Sequence, residues 1–184
     1  SDYVEFGESR IKMKALDDRF GCALMLDLIR SDLAYDTTFV FTVQEEVGAR
    51  GAAAGAFTTT PDIAVILETT TAGDICGVEG ARRACVLGDG PVISYMDRGT
   101  VYDHGLYQLA MDTAKEHGIP AQTKTLVAGG NDSSSIQRTG AGSRVLAISA
   151  PTRYLHSPVD VLDRNDVENM QKLLNVLLPK LAED

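Results

Sequence analysis

Strand-like and helix-like segments alternate along this chain of 184 residues, and the alternation limits the fold more than any other feature. Runs of β-favouring residues predict strands, whereas apolar residues at three- and four-residue spacing predict helices. The predicted strands cover residues 37–43, 63–67, 91–96, 122–127 and 144–149. The predicted helices cover residues 18–29, 52–57, 106–117 and 163–181. This order predicts an α/β fold with a mostly parallel or mixed sheet sandwiched by helices.

The start of the chain does not fit this alternation. Residues 1–14 predict only an entry strand or loop, with no α/β unit before them. We therefore expect residues 1–184 to form one domain whose fold is incomplete at the N-terminus.

Charge and cysteine content exclude several classes of protein. The formal net charge of −9 argues against binding to nucleic acid or to an anionic membrane surface. No stretch approaches the ~18 apolar residues that a membrane-spanning helix needs. The three cysteines, Cys22, Cys76 and Cys85, show no Cys-x-x-Cys spacing and indicate reduced thiols. These features predict a cytoplasmic protein.

Acidic residues and one histidine lie at the ends of predicted elements. They are Asp17 and Asp18 before a helix, Glu45, Glu46 and Glu68 after strands, and His156 beyond the strand 144–149. In a parallel sheet the carboxyl ends of the strands meet at one edge, so these side chains are expected to converge. Carboxylates with one imidazole suit a divalent ion such as Zn, Co or Mn. A carboxylate that is not a ligand could act as a general base.

Taken singly, these residues also have structural interpretations. An acid pair before a helix could simply cap it, and acids at strand ends could simply be solvated. A single histidine could be a hydrogen-bonded structural residue. The segment 129–132 could be a turn only, and it is not a P-loop because no Gly-Lys-Ser/Thr follows.

Read together, the motifs resemble one family. They are Ala-Leu-Asp-Asp-Arg-Phe-Gly at 15–21, Val-Gln-Glu-Glu-Val-Gly-Ala-Arg-Gly-Ala at 43–52 and Pro-Thr-Arg-Tyr-Leu-His-Ser-Pro at 151–158, with weaker support at 90–93 and 129–132. In this order they resemble the tetrahedral aminopeptidases. These are co-catalytic metallopeptidases that include glutamyl and deblocking aminopeptidases and have often been labelled endoglucanases or cellulases.

The resemblance implies a zinc-peptidase-like fold that holds two divalent metal ions. Asp17 matches the aspartate that bridges the two ions, and Glu45 matches the general base. Glu46 and His156 match ligands of one ion. Glu68 matches the terminal carboxylate of the other ion, where the family commonly has aspartate.

The resemblance also implies supporting residues and a substrate class. Asp18 matches a position whose peptide bond to the bridging aspartate is typically cis, and Asp132 and Arg153 are expected to support the ligands or line the substrate pocket. The implied activity removes N-terminal residues from peptides with free N-termini. Arg98, Arg138 and Arg153 are candidates for favouring acidic substrates, and the full-length family forms homo-oligomers.

Two parts of the family pattern are missing from this sequence. A metal-ligating histidine in a His-x-Asp motif is expected upstream of Asp17, and an inserted dimerisation domain is expected before residue 1. The chain therefore resembles the C-terminal half of the catalytic domain, which implies partial or no activity for this half in isolation. A natural short binding or assembly module is the alternative. Glycoside hydrolysis is disfavoured, because retaining enzymes need two opposed carboxyl groups ~5 Å apart rather than sequence neighbours.

Overall fold

The computed structural model describes residues 2–183, which form an initial β-hairpin followed by a mixture of helices and strands. The strands are β1 (Val4–Phe6), β2 (Arg10–Met13), β3 (Ile63–Thr71), β4 (Val92–Ile93), β5 (Gln122–Thr123), β6 (Arg144–Thr152) and β7 (Asp160–Asp163). The helices are α1 (Leu16–Ile29), α2 (Arg50–Thr59), α3 (His104–Glu116), α4 (Ser133–Ile136) and α5 (Arg164–Ala182). Short 3₁₀ turns lie at Glu45–Val47 and Gly80–Arg82.

Two sheets organise these elements. The larger has the order β3-β6-β4-β5, in which β3 and β6 run parallel and β4 runs antiparallel to β6. The smaller is antiparallel, with the order β1-β2-β7. The fold is therefore the α/β arrangement with a mixed sheet that the alternation predicts.

Helices cover both faces of the larger sheet. Leu146 and Ile148 of β6 point into a core that they share with α1, α3 and α5. Val145 and Ala147 point to the opposite face, where Ile136 of α4 packs. This division follows from the alternating direction of side chains along a strand. Burial on both faces explains why β6 is an almost continuous apolar run.

Both helices predicted after residue 100 are preceded by an aspartate that caps the N-terminus of the helix. Asp103 accepts a hydrogen bond from the Leu106 amide at the start of α3, at 2.9 Å. Asp163 accepts one from the Asn165 amide at the start of α5, at 2.8 Å. A carboxylate at this position satisfies an amide that has no partner within the helix.

The prediction of a buried strand over residues 37–43 is wrong. This segment has no strand structure, and most of its residues are exposed, including Val40, Phe41 and Val43. β-Favouring residues form a strand only where a neighbouring strand and a core are available, and no described strand pairs with this segment. The outer edge of β3 is likewise unpaired among residues 2–183.

Other differences concern element length. The strands predicted over 91–96 and 122–127 shorten to the two-residue β4 and β5. The entry segment 1–14 forms the hairpin of β1 and β2, and β2 pairs with β7. No helix in the described range 2–183 has the length and apolarity needed to cross a bilayer.

Candidate metal centre

Strand pairing brings distant parts of the sequence together at the carboxyl end of β3. The antiparallel register of β2 with β7 sets Met13 opposite Asp160, so the chain after β2 and the chain before β7 are neighbours. Glu68 lies in the carboxyl half of β3, opposite Ser149 in the parallel register with β6. The predicted convergence of Asp17, Glu46, Glu68 and His156 is present in the structure, although Asp17 follows a strand of the smaller antiparallel sheet.

Asp17, Glu46 and His156 form a group of side chains that is open to solvent, here called the open group. The His156 Nε2 atom lies 3.2 Å from Glu46 Oε2 and 3.5 Å from Asp17 Oδ2. The imidazole is 64% exposed and the Glu46 carboxyl 57%, whereas the Asp17 side chain is only 14% exposed. An ion from solvent could thus reach two of the three donors directly.

Asp17, Asp18 and Glu68 form a second group that is largely withdrawn from solvent, here called the enclosed group. One carboxylate oxygen from each residue lies within 4.8 Å of the other two. Burial, reinforced by the neighbouring carboxylates Asp18 and Asp17, raises the pKa of Glu68 to about 10. Burial likewise raises the pKa of Asp18 to about 8. Three acids this close stay ionised together only if a cation compensates them.

Local backbone geometry fixes the two aspartates. The peptide bond between Asp17 and Asp18 is cis, as the resemblance implies. The Asp18 Oδ1 atom accepts a hydrogen bond from the Gly21 amide at 3.2 Å. A Cβ atom on Gly21 would lie 2.3 Å from Asp18 Oδ2, so only glycine leaves room for this carboxyl.

Glu45 and Glu46 lie on a 3₁₀ turn rather than at the end of a strand. Gln44 and Ala49, which flank the turn, have left-handed backbone dihedrals with φ of 62° and 51°. Such dihedrals are strained for residues other than glycine and persist where surrounding structure holds them. Gly51 allows the close return of the chain, because a Cβ there would meet the Val43 carbonyl oxygen at 2.5 Å.

The Glu45 side chain faces the acids without belonging to either group. Its pKa is raised to about 7, first by burial and then by the charges of Asp132, Glu46 and Asp17. A carboxyl group with a pKa near neutrality can both accept and release a proton at neutral pH.

Asp132 lies on the same wall as Glu45. Its Oδ2 atom accepts a hydrogen bond from Thr42 Oγ1 at 2.6 Å, and burial raises its pKa. Its Oδ1 atom is buried and has no hydrogen-bond partner among the described residues. A buried oxygen with unused acceptor capacity is costly, which makes this atom a place where another donor would be favourable.

Sequence reasoning missed Asp160. This residue is 2% exposed, and its Oδ2 atom accepts hydrogen bonds from the amides of Leu16 at 2.9 Å and Asp17 at 3.5 Å. It thereby fixes the backbone that carries the carboxyl common to both groups. A signal was present in the sequence, since Asp160 follows His156 by four positions and is an acid at the start of the apolar strand Val161–Leu162.

The arginines proposed from the sequence lie outside the cavity beside the acids. Arg153 pairs with Asp74 through two contacts of 2.8 Å. Arg138 donates to the Ser134 carbonyl group on α4. Arg19 lines the cavity instead, and reasoning from the sequence did not select it.

A cavity of about 620 Å³ opens beside these acids and extends along β3. Asp17, Glu45, Glu46 and Glu68 line one end of it. Residues of α1, α2, β3, α4 and α5 and of the segment 37–42, most of them apolar, line the remainder. The acids therefore lie at the end of a groove rather than on a flat surface.

The donor atoms of the two groups fit divalent ions unequally. The open group offers two carboxylates and one imidazole, a mixed set that zinc and similar ions prefer. The enclosed group offers carboxylates only. The raised pKa values of Asp18 and Glu68 are the response expected of acids packed together without a compensating charge.

Comparison with known proteins decides the family. The model for the M42 glutamyl aminopeptidases matches residues 1–173. The chain belongs to the M42 glutamyl aminopeptidase family. Its fold and its motifs are thus those of the aminopeptidases that the sequence resembles.

Individual members of the family agree with this assignment. The lysyl aminopeptidase of Pyrococcus furiosus is 32% identical over 183 residues, which are 98% of this chain and 51% of that protein. An aminopeptidase structure from Desulfurococcus kamchatkensis matches 95% of this chain and 50% of its own, with a TM-score of 0.90 and 34% identity. The TET1 peptidase of Pyrococcus horikoshii matches 96% of this chain and 52% of its own, with a TM-score of 0.80 and 31% identity.

The chain also differs from these M42 aminopeptidases in length. The chain spans about half the length of the relatives it matches. The P. horikoshii protein is described as assembling into a tetrahedron or a large octahedral shell.

Proposed function

We propose that this chain carries the greater part of the active site of a metal-dependent aminopeptidase. The observation that supports this most strongly is the geometry around Asp17. Its carboxyl is common to the open and enclosed groups, so it can bridge two neighbouring ions. Glu45, whose pKa is about 7, lies beside the same carboxyl.

The ligands divide between two ions. Glu46 and His156, with Asp17, would hold one of them, and Glu68, with Asp17, would hold the other. Asp18 supports this arrangement through its hydrogen bond with the Gly21 amide. Divalent ions such as Zn, Co or Mn, when bound, would polarise the scissile carbonyl group and lower the pKa of the attacking water.

Glu45 is the general base of the proposed reaction. It would take a proton from the attacking water and deliver it to the leaving amine. A pKa of about 7 suits both halves of this transfer, because efficient proton transfer needs an acid and a base matched to the working pH. Burial, together with the charge of Asp132, keeps the pKa of Glu45 raised, and Asp132 would also line the pocket wall.

Peptides with a free N-terminus are the proposed substrates. The carboxylates lie at one end of the groove, which favours a chain terminus over the middle of a peptide. Arg19 on the cavity wall would attract an acidic side chain of the substrate. By analogy with the shell-forming relative, the protein is proposed to be a homo-oligomer.

The enclosed group lacks a nitrogen donor among the described residues. We therefore propose that the complete site needs residues from the half of the relatives that this chain does not match. The chain alone is expected to show little or no turnover. A non-catalytic module on the same scaffold is the competing function.

A chimeric enzyme tests the proposal. The matched half of the D. kamchatkensis aminopeptidase is replaced by this chain, and release of N-terminal residues from aminoacyl anilides is measured with added Zn, Co or Mn. Turnover is expected in the parent chimera. Glu45→Gln is expected to abolish turnover with unchanged metal content, since the amide cannot take the proton.

Glu79→Gln is the matched control, because Glu79 is exposed and does not line the cavity. It is expected to leave turnover unchanged. Near-normal turnover in Glu45→Gln contradicts the role of Glu45. A folded, metal-loaded chimera without turnover favours the non-catalytic module.

A further inference from the structure

The turn 45–47, which carries the proposed base and one proposed ligand, is connected to a distant part of the chain through Thr42. The amides of Gly48 and Ala49 donate back into the turn, each at 2.9 Å. These local bonds shape the turn but do not fix where it lies. Thr42, which precedes the turn, donates from its hydroxyl group to Asp132 Oδ2 at 2.6 Å. The position of the turn therefore depends in part on how firmly Asp132 is held.

Three buried polar residues, here called the buried network, hold the chain beside Asp132. They are Asp97, Tyr102 and Asn131, and each is at most 9% exposed. The Tyr102 hydroxyl donates to Asp97 Oδ2 at 2.6 Å and accepts from Asn131 Nδ2 at 3.1 Å. Asn131 Oδ1 accepts a hydrogen bond from the Ser133 amide at 2.9 Å. The network therefore fixes the residue before Asp132 and the residue after it.

Asp97 anchors the buried network in the loop between β4 and α3. Its Oδ1 atom accepts hydrogen bonds from the amides of Gly99 and Thr100, both at 2.8 Å. The Arg98 amide donates to the Gly129 carbonyl at 2.9 Å, which joins this loop a second time to the chain before α4. Buried polar groups whose bonds are formed resist displacement, because moving them leaves a donor or an acceptor unpaired.

We propose that the buried network consists of positioning residues, which act through Asp132 and Thr42 to hold in place the turn that carries the proposed base. The inference rests on the proposed function, because it assigns the network a role at that active site. Asp132 lines the cavity together with Glu45 and Glu46, so it lies where such a support is needed. A small displacement of a reacting group costs much of its effect, which makes the support of the turn important for the reaction.

The network also has a purely structural interpretation, since Tyr102 belongs to the core. Its ring packs with Val145 and Ala147 of β6. That packing does not use the hydroxyl group, whereas the bonds to Asp97 and Asn131 do. Tyr102→Phe therefore keeps the packing and removes the bonds that the proposal requires.

Hydrogen exchange in the metal-free chain separates the two interpretations. In Tyr102→Phe the amides of Gly48 and Ala49 are expected to exchange at least about tenfold faster than in the parent chain, because the turn opens more readily. The amides of Leu146 and Ile148, in the core, report any general loss of stability. Faster exchange at the turn beyond that of the core is the signature of positioning.

Tyr107→Phe is the matched control for this experiment. It removes a half-buried hydroxyl group that bonds to Thr123 Oγ1 at 2.7 Å, outside the buried network. It is expected to leave exchange at Gly48 and Ala49 unchanged. Unchanged exchange at these two amides in Tyr102→Phe, or equal acceleration in both phenylalanine variants, overturns the inference.

Thr42→Val tests the path from the network to the turn. The substitution keeps the shape of the side chain and removes the hydroxyl group that bonds to Asp132. It is expected to speed exchange at Gly48 and Ala49 as Tyr102→Phe does. The double variant is expected to exchange no faster than the faster single variant, because both changes interrupt one path. Effects that multiply would overturn the path through Asp132.

Turnover in the chimeric enzyme shows whether the position of the turn matters for the reaction. Tyr102→Phe is expected to lower kcat at least about tenfold with little change in KM, because the base is displaced while the substrate pocket is kept. Tyr107→Phe is expected to leave both constants unchanged.

The two measurements distinguish failure of this inference from failure of the proposed function. A chimera without turnover contradicts the proposed function, whereas exchange at Gly48 and Ala49 still decides whether the network holds the turn. In an active chimera, a kcat of Tyr102→Phe equal to that of the parent overturns the inference, even if the turn has loosened.

Discussion

The open and enclosed groups share Asp17 but differ in donor chemistry and in solvent access. The open group includes an imidazole, and two of its three side chains are more than half exposed. The enclosed group consists of carboxyl groups, and burial raises the pKa values of two of them to about 8 and about 10. The two halves of the proposed site are therefore not equally complete in this chain.

The physical consequence is a difference in affinity. A divalent ion in the open group meets ligands that are accessible and of mixed type. An ion in the enclosed group must first displace protons from buried acids, which lowers the apparent affinity at neutral pH. We therefore expect the chain alone to bind one ion tightly, in the open group.

The largest expected effect follows from changing the residue that the groups share. Asp17→Asn is expected to weaken zinc binding by more than about 100-fold, because residues that only support ligands already account for 10–100-fold. Calorimetric titration measures this loss. Asp36→Asn, at an exposed loop position, is the control and should bind zinc normally. If Asp17→Asn binds zinc with normal affinity, Asp17 is not a ligand shared by the open and enclosed groups.

A change at His156 separates the groups. His156→Ala removes the one imidazole of the open group and is expected to weaken the tight site by about 100-fold. The enclosed group should be unaffected. His117→Ala provides the control, because His117 is exposed at the end of α3. If the two alanine variants bind zinc equally well, the tight site lies elsewhere.

A change at Glu68 should alter the free energy of unfolding of the metal-free chain more than it alters zinc binding in the open group. The folded pKa of Glu68 is raised from 4.5 to about 10, so its contribution to stability is present below pH 4.5 and is lost as the pH rises towards 10. Because the amide of Glu68→Gln does not titrate, the variant does not lose this stability as the pH rises. The variant should therefore exceed the parent chain in free energy of unfolding by a margin that grows from pH 5 to pH 9.

Urea denaturation of the metal-free proteins measures that margin. It should reach at least about 1 kcal/mol at pH 9, because a tenfold change in a protonation equilibrium corresponds to about 1.4 kcal/mol. Glu79→Gln should show a constant difference across the same range. A margin that shrinks with pH would mean that Glu68 is compensated by a positive charge in the folded chain.

The smallest effect concerns the residue that fixes the backbone of Asp17. Asp160→Ala removes the acceptor for the Leu16 and Asp17 amides and is expected to weaken zinc binding in the open group by about tenfold. Asp160→Asn keeps an acceptor oxygen and should restore most of the affinity. Equal affinity in all three proteins would show that the backbone holds its place without this side chain.

The sequence predicted those parts of the fold whose burial comes from contacts within the chain. The helices over 18–29 and 163–181 and the strand 144–149 agree with α1, α5 and β6, because each buries an apolar face against described neighbours. The segment 37–43 has the same strand-forming composition but no described strand to pair with. Composition alone does not separate these two cases.

In the candidate site, too, contacts between residues far apart in the sequence could not be predicted. Motifs located Asp17, Glu45, Glu46, Glu68 and His156, and the structure brings these residues together. Asp160 was missed, because its contribution is a long-range hydrogen bond to backbone amides that only strand pairing creates. The pairing of Arg153 with Asp74 could not be predicted for the same reason, since the two residues lie 79 positions apart in the sequence.

The most direct test of the proposed centre is to locate the ion itself. Crystals of the chain grown with zinc and measured at the zinc absorption edge would show each bound ion as an anomalous peak. The account predicts a peak between Asp17, Glu46 and His156, stronger than any peak beside Asp18 and Glu68. A chain fully occupied by zinc elsewhere, with no peak between these three side chains, would contradict it.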